Sequence, residues 1–194
     1  EPLRAGDLWV EPLWPPPQKV LNLIGVDIED LGAPASGTFR RSDGRIRARV
    51  QLPQDVIDEY GGGFIGFHSA TDTLYEWPDY GRLVGAYFKE HPWTQDATVT
   101  VEDSAHPATS GLGTSFRLFE EYYTFRDNPR PSVHVLLSLN PASVGATGDY
   151  PLAWAHSFGG GRAYYNALGH FQETWRDARF WGPIASAVAW AVGR

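Results

Sequence analysis

Apolar and polar positions recur along the chain with two different periods. Short β-branched and aromatic runs predict strands at residues 19–28, 45–52, 64–67, 98–101, 133–139, 152–158 and 162–167. Apolar residues at helical spacing predict helices over residues 52–60, 80–88 and 180–192. Because strands alternate with helices, the pattern favours an α/β domain with a largely parallel sheet, to which residues 120–170 add antiparallel pieces.

The first 18 residues follow neither period. They are rich in proline and tryptophan, and the run Pro15-Pro16-Pro17 is incompatible with a regular helix. We therefore expect an extended arm over residues 1–18 and a single α/β domain over residues 19–194, because no linker, repeat or low-complexity tract divides the remainder.

Composition narrows the classes of partner. The formal net charge is −7 and no basic stripe offsets it, so we expect no nucleic-acid partner. No apolar run approaches the ~20 residues of a membrane span, so we expect no membrane contact. The aromatic content of 14% suits a small carbohydrate, whose C–H faces stack on rings while its hydroxyls form hydrogen bonds.

Assembly and location stay open at this point. A homo-oligomer is compatible with the sequence, and so are a cytoplasmic and an exported location. The chain starts at Glu1 and contains no methionine, which is what we expect of a processed chain or a fragment.

Two histidines each end an apolar strand at a turn of small residues. His68 follows strand 64–67, and His170 follows Gly169 after strand 162–167. Ligands of open α/β sheets bind beyond the carboxyl ends of the strands, so two central parallel strands would bring both imidazoles to one rim. Two imidazoles and a carboxylate can transfer protons near neutral pH, or hold a divalent metal with one position open. The spacing does not decide between these, and a hydrogen-bonded core histidine in a tight turn is the alternative at His68.

The chain contains no cysteine, which excludes disulfides, thiolate metal sites and a cysteine nucleophile. Many short motifs then follow one another in a recognisable order. They occupy residues 62–73 (GGFIGFHSATDT), 75–80, 83–88, 91–92, 121–123, 125–126, 128–129, 151–154, 156, 160–162, 165 and 167–170. In this order they resemble the ThuA-like (trehalose utilisation) family, over roughly residues 52–192.

The resemblance implies a flavodoxin-like, mostly parallel sheet flanked by helices, of the class I glutamine amidotransferase type. In that superfamily a cysteine nucleophile occupies the strand-to-helix turn where this chain has His68, so glutamine hydrolysis by a thiolate is excluded. Gly169-His170 with Glu173 is similar to the amidotransferase His-x-Glu region, at a different spacing. The family is associated with disaccharides, notably oxidised (3-keto) sugars. Residues 30–49 depart from it, because they lack the helix that the family usually has there.

The resulting hypothesis is a hydrolase or lyase that acts on a disaccharide, a glycoside or a 3-keto-sugar. His68 and His170 would transfer protons, and Asp72 or Glu121 would orient an imidazole or act as a second acid–base group. The residues expected to form the sugar platform and to bind hydroxyls are Trp77, Tyr123, Trp154, His156 and Arg162. One alternative is a non-catalytic sugar- or partner-binding module. The other is a metal-dependent enzyme with ligands among His68, His156 and His170, so a divalent metal is the one cofactor left open.

Overall fold

A computed structural model of the protein describes residues 20–23, 40–42, 45–47 and 63–193. Its strands are β1 (Val20–Leu23), β2 (Arg40–Ser42), β3 (Arg45–Arg47), β4 (Gly63–Phe67), β5 (Phe88–Val101), β6 (Ser115–Phe125), β7 (His134–Leu139), β8 (Pro151–Phe158) and β9 (Gly161–Asn166). Its α-helices are α1 (Pro78–Val84) and α2 (Ala178–Ala191). The predicted arm over residues 1–18 and the predicted helix over residues 52–60 lie outside the described residues.

The main sheet is mixed rather than mostly parallel. Its strand order over the described residues is β1-β4-β9-β8-β7-β5-β6, and β2 pairs only with β3 in a separate ribbon. β1, β4 and β9 are parallel, whereas β8, β7, β5 and β6 follow in antiparallel pairings. The tight turn between β8 and β9 enforces their antiparallel pairing, because a parallel pair needs a crossover of a dozen or more residues. The predicted parallel character therefore applies only to β1, β4 and β9.

Two elements differ in length from the sequence-based prediction. The strand predicted at residues 98–101 is the end of β5, which runs over 14 residues and pairs with β6 along most of its length. The helix predicted over residues 80–88 ends at Val84, because Gly85 adopts φ +97° and closes it with a left-handed cap.

The sheet curls so that its β6 edge approaches the carboxyl end of β9. In the strand order β6 lies four places from β9. The Glu120 carboxylate of β6 nevertheless accepts hydrogen bonds from the backbone N–H groups of Gly169 and His170, which follow β9. A flat sheet would hold strands four places apart at nearly 20 Å from each other. The curl therefore creates the concave rim at which the candidate site lies.

Candidate functional site

His68 occupies a strained turn at the end of β4. It opens a short 3-10 helix (His68–Thr71) and has φ +40°, a left-handed conformation that costs a non-glycine residue on the order of 1–3 kcal/mol. The turn is held by the buried Tyr165 hydroxyl, which donates to the His68 carbonyl at 2.7 Å. Strain of this kind is retained where the surrounding structure imposes it, and it is concentrated at functional sites.

Three side chains from three distant segments meet beside this turn. The Nε2 atom of His68 lies 3.1 Å from the Nδ1 atom of His170, although the two residues are 102 positions apart. The Oε2 atom of Glu121, on β6, lies 3.2 Å from His68 Nε2 and 3.1 Å from His170 Nδ1. The structure thus brings His68 and His170 to the same rim, and of the two candidate carboxylates it places Glu121 between them. We call these three residues the His–Glu–His cluster.

The hydrogen bond to the backbone fixes the tautomer of His68. Its Nδ1 atom lies 2.8 Å from the Ala167 carbonyl oxygen, and because a carbonyl only accepts, Nδ1 carries a proton. In the neutral ring, the lone pair of Nε2 then points toward Glu121 and His170. Burial lowers the pKa of His68, since desolvation disfavours its charged form more than the Ala167 hydrogen bond and the nearby carboxylates favour it.

Exposure differs across the cluster. The side chains of His68 and Glu121 are each 12% exposed, whereas His170 is 42% exposed. The ring of Tyr123 packs on His68 with centroids 4.1 Å apart and covers its other side. The cluster is therefore open to solvent at His170 and closed by protein behind His68.

A fourth polar group, His91, contacts the same carboxylate. Its Nδ1 atom lies 3.4 Å from Glu121 Oε1. The pairing of β5 with β6 shifts register between Glu90 and Trp93, so His91 and Pro92 lie in an irregular stretch of the strand. Proline is tolerated in strands mainly at edges and bulges, and this bulge brings His91 to the cluster.

Glu120 fixes the backbone that carries His170. Its side chain is 0% exposed and accepts from the N–H groups of Gly169 and His170, each at 3.0 Å. It also accepts from the Thr174 hydroxyl at 2.6 Å and from the Glu121 N–H at 2.7 Å. Four donors offset the cost of burying this carboxylate. Glu120 is thus a positioning residue, which the sequence-based hypothesis did not include.

Asp72 lies at the end of the 3-10 helix and is exposed. It accepts a hydrogen bond from the Tyr75 hydroxyl, and the guanidinium of Arg126 lies 4.1 Å from the centre of the Tyr75 ring. Burial, followed by the hydrogen bond to Asp72, raises the pKa of Tyr75 to about 12. Among the described residues, the partner of Asp72 is therefore a tyrosine and not an imidazole of the cluster.

Three predicted substrate-binding residues require correction. Trp154 is 0% exposed and its indole N–H donates to the Val84 carbonyl at 2.8 Å, so neither ring face is available to a sugar. His156 pairs in register with Ala163 near the amino end of β9, away from the cluster. Arg162, also at that end, donates to the Trp190 carbonyl at 2.6 Å. Strand direction explains the positions of His156 and Arg162. His156 lies near the carboxyl end of β8 and Arg162 near the amino end of the antiparallel β9, so both lie at the end of the strands opposite the rim.

The two remaining predicted platform residues, Tyr123 and Trp77, lie in different places. Tyr123 lies on the cluster, as described above. Trp77 is half-buried at the start of α1 and stacks on Tyr80 with ring centroids 5.9 Å apart. Tyr123 is therefore the predicted platform ring that the structure brings to the cluster.

His91 and Glu120 are the site residues that sequence reasoning missed. The sequence signal for Glu120 was its position in an acidic pair between aromatic residues. His91 precedes a proline, as His106 does, and a histidine at such a position can fix a loop. His106 does so, since its Nδ1 accepts from the Ala108 N–H at 3.1 Å, whereas His91 lies at the cluster.

The cluster can also hold a metal ion, since one ligand atom from each of its three residues lies within 4.8 Å of the others. His156, the other metal ligand considered, lies instead beside two carbonyl oxygens, those of Leu83 and Ser157. Within the described part of the chain, no helix is long and apolar enough to cross a membrane.

Solved structures of other proteins are similar to this one. The structure is similar to that of a ThuA-like protein from Bacteroides uniformis, with a TM-score of 0.61 and 31% identity over 73% of this chain and 64% of that one. It is also similar to a ThuA-like protein from Parabacteroides merdae, with a TM-score of 0.58 and 19% identity over 70% of this chain and 62% of that one. The chain thus spans less than two thirds of either relative. No curated protein matches the sequence.

The sequence model of the ThuA family, described as trehalose utilisation, matches residues 46–191. This range includes the strained turn, β6 and the segment after β9, so it contains every residue of the His–Glu–His cluster. The family description indicates a carbohydrate-related role. The chain belongs to the ThuA family.

Proposed function

We propose that the protein is a carbohydrate-directed hydrolase or lyase and that the His–Glu–His cluster is its reaction site. The observation that carries the proposal is the meeting of two imidazoles at one carboxylate, beside a backbone strained at His68. Such a group can accept a proton from one atom of a substrate and return it to another. The carbohydrate class comes from the family to which the chain belongs.

The solvent exposure of each side chain in the cluster suggests its role in the reaction. His170 is the half-exposed member and would meet the substrate, while Glu121 orients both imidazoles and His68 receives or supplies the second proton. On a 3-keto-sugar, a base at this cluster would remove the proton from the carbon beside the ketone. An acid would protonate the glycosidic oxygen as its bond to the neighbouring carbon breaks and a C=C bond forms beside the ketone. The proton and the leaving alcohol are then balanced, and no oxidant is needed.

Tyr123 and Asp72 complete the proposed pocket. The Tyr123 ring, which packs on His68, provides an aromatic surface beside the cluster. Asp72 lies four positions after His68. With Tyr75 and Arg126, it offers polar groups to the hydroxyls of a sugar. The class I amidotransferase-like scaffold implied by the family is part of this proposal, with histidine at the position of the missing cysteine.

The rival function is a non-catalytic sugar-binding module on the same scaffold. It predicts binding without turnover, and it gives no reason for two imidazoles and a carboxylate to be held within 3.2 Å of one another.

The test is a turnover screen of plain and 3-keto disaccharides with purified protein. His68→Ala should abolish turnover, and circular dichroism should show a retained fold, because alanine and histidine both carry a Cβ atom and so meet strain of the same kind at φ +40°. His134→Ala is the matched control, since His134 is exposed at the start of β7 and pairs with Asp103. Full activity of His68→Ala on the true substrate would refute the proposal, as would saturable sugar binding by a wild-type protein that turns over none of the sugars it binds.

A further inference from the structure

We propose that the His–Glu–His cluster is a binding site for one divalent transition-metal ion, with ligand atoms His68 Nε2, His170 Nδ1 and Glu121 Oε2. The chemical consequence of this inference rests on the proposed function, whereas the binding itself does not.

The first argument is the spacing of the donor atoms. The three separations are 3.1, 3.1 and 3.2 Å, so the atoms form a nearly equilateral triangle. A tetrahedral zinc ion with ligands at 2.0–2.1 Å holds neighbouring donors about 3.3 Å apart. An ion placed just above this triangle would reach all three atoms with little rearrangement.

The second argument is the orientation of the lone pairs. Because His68 donates its Nδ1 proton to Ala167, its Nε2 lone pair faces Glu121 Oε2, which also carries lone pairs. When neutral His170 carries its proton on Nδ1, that proton can form a good hydrogen bond to His68 Nε2 or to Glu121 Oε2, but not to both at once. A cation among the three atoms would satisfy all of them at once.

The third argument is the support behind each ligand. The Ala167 carbonyl holds the His68 ring, as expected of a metal-binding histidine whose other nitrogen donates to the protein. His91 lies 3.4 Å from the remaining oxygen of Glu121. Glu120 fixes the backbone of His170. Each of the three ligands is therefore oriented from outside the triangle.

The donor set indicates the class of ion. Two imidazole nitrogens and one carboxylate oxygen occur at catalytic zinc sites, which keep a further position open for water or substrate, and at sites for ferrous iron. The half-exposed His170 leaves a solvent-facing side where a sugar oxygen could approach. At that position a divalent ion supplies Lewis-acid polarisation of a carbonyl or hydroxyl oxygen. With the ion bound, His68 and His170 would act as ligands in place of the proton-transfer roles proposed above, and His91, 3.4 Å from Glu121, would be the nearby imidazole left to transfer a proton.

The test is calorimetric titration of untagged, chelator-treated protein with Zn²⁺, and separately with Mn²⁺, in the absence of any sugar. We expect one site per chain for at least one of the two ions. His170→Gln should weaken binding by at least about 100-fold, because even the loss of an outer-shell partner costs 10–100-fold. His134→Gln is the matched control and should bind as the wild type does, since His134 pairs with Asp103 outside the cluster.

Glu121→Gln provides a second variant of nearly identical shape, for use if His170→Gln does not fold by circular dichroism. Binding of neither ion by the wild-type protein would overturn the inference. Equal affinity of the wild-type protein and the folded ligand variant would overturn it as well. The readout contains no substrate, so a failure of the proposed sugar reaction cannot be confused with a failure of metal binding.

Discussion

Replacing the buried carboxylate of Glu120 tests how the site is held together. In Glu120→Gln, one oxygen can still accept from Gly169, His170 and Thr174, as Oε1 does now. The new NH₂ group, however, faces the N–H of Glu121, which now donates to Oε2 at 2.7 Å. One buried donor loses its acceptor and meets another donor instead.

The magnitude follows from this count. An unsatisfied buried donor costs about 1–3 kcal/mol, and each hydrogen bond that loses its charged acceptor weakens by roughly 1 kcal/mol. We therefore expect Glu120→Gln to lower the free energy of unfolding by about 4–6 kcal/mol, a large part of a typical stability of about 5–15 kcal/mol. Glu120→Ala, which leaves four donors without a partner, should be more severe and leave the protein marginally folded.

Urea unfolding monitored by circular dichroism measures this effect, with the m-value checked for constancy between variants. Glu173→Gln is the control, because Glu173 is exposed in the same segment and should change stability by no more than about 0.5 kcal/mol. If Glu120→Gln were as stable as that control, the four donors would not depend on the carboxylate, and the assignment of Glu120 as the residue that positions His170 would be refuted.

Two further predictions concern the core and the surface. Trp154→Phe should destabilise the protein by about 2–3 kcal/mol in urea unfolding, because it opens a cavity and leaves the Val84 carbonyl without its donor, while KM for a sugar stays unchanged. Hydrogen bonds from Arg130 lower the pKa of Glu102 and of Asp149 below their ordinary values of 4.5 and 3.8. Their contribution to stability is thus present above those ordinary values and is lost as the pH falls through the lower values of the folded state. Arg130→Gln should flatten the decline of the urea midpoint below about pH 4, and an unchanged slope would contradict this.

The part of the site that the sequence predicted depends on local signals. The apolar run before His68 predicted β4, and the run before Gly169 predicted β9. These strands pair directly and in parallel, so their carboxyl ends meet and both imidazoles reach one rim. A strand that ends in small residues and a histidine is a signal contained in a few neighbouring positions.

The missed features depend on the register between distant segments. The contact of His91 with Glu121 requires the bulge that shifts β5 against β6, which no local pattern encodes. Trp154 was an expected ring of a sugar platform, yet Pro151–Ala155 are all buried. Both faces of β8 are covered because the sheet curls and α1 packs beside it, and the Trp154 indole reaches the carbonyl of Val84 on α1. Tertiary packing therefore decided which aromatic rings are accessible to a ligand.

Glu121, the carboxylate of the cluster, lies on β6, which within the described chain is hydrogen-bonded to a neighbouring strand on one side only. β6 is the terminal strand and pairs with β5 alone, whereas the imidazoles project from the ends of two central strands. Terminal strands generally open at a lower free energy than central ones. In place of a second ladder, β6 is held by the three hydrogen bonds that Glu120 accepts from Gly169, His170 and Thr174. Substitutions that weaken these three bonds would loosen this wall of the pocket without altering any reacting group.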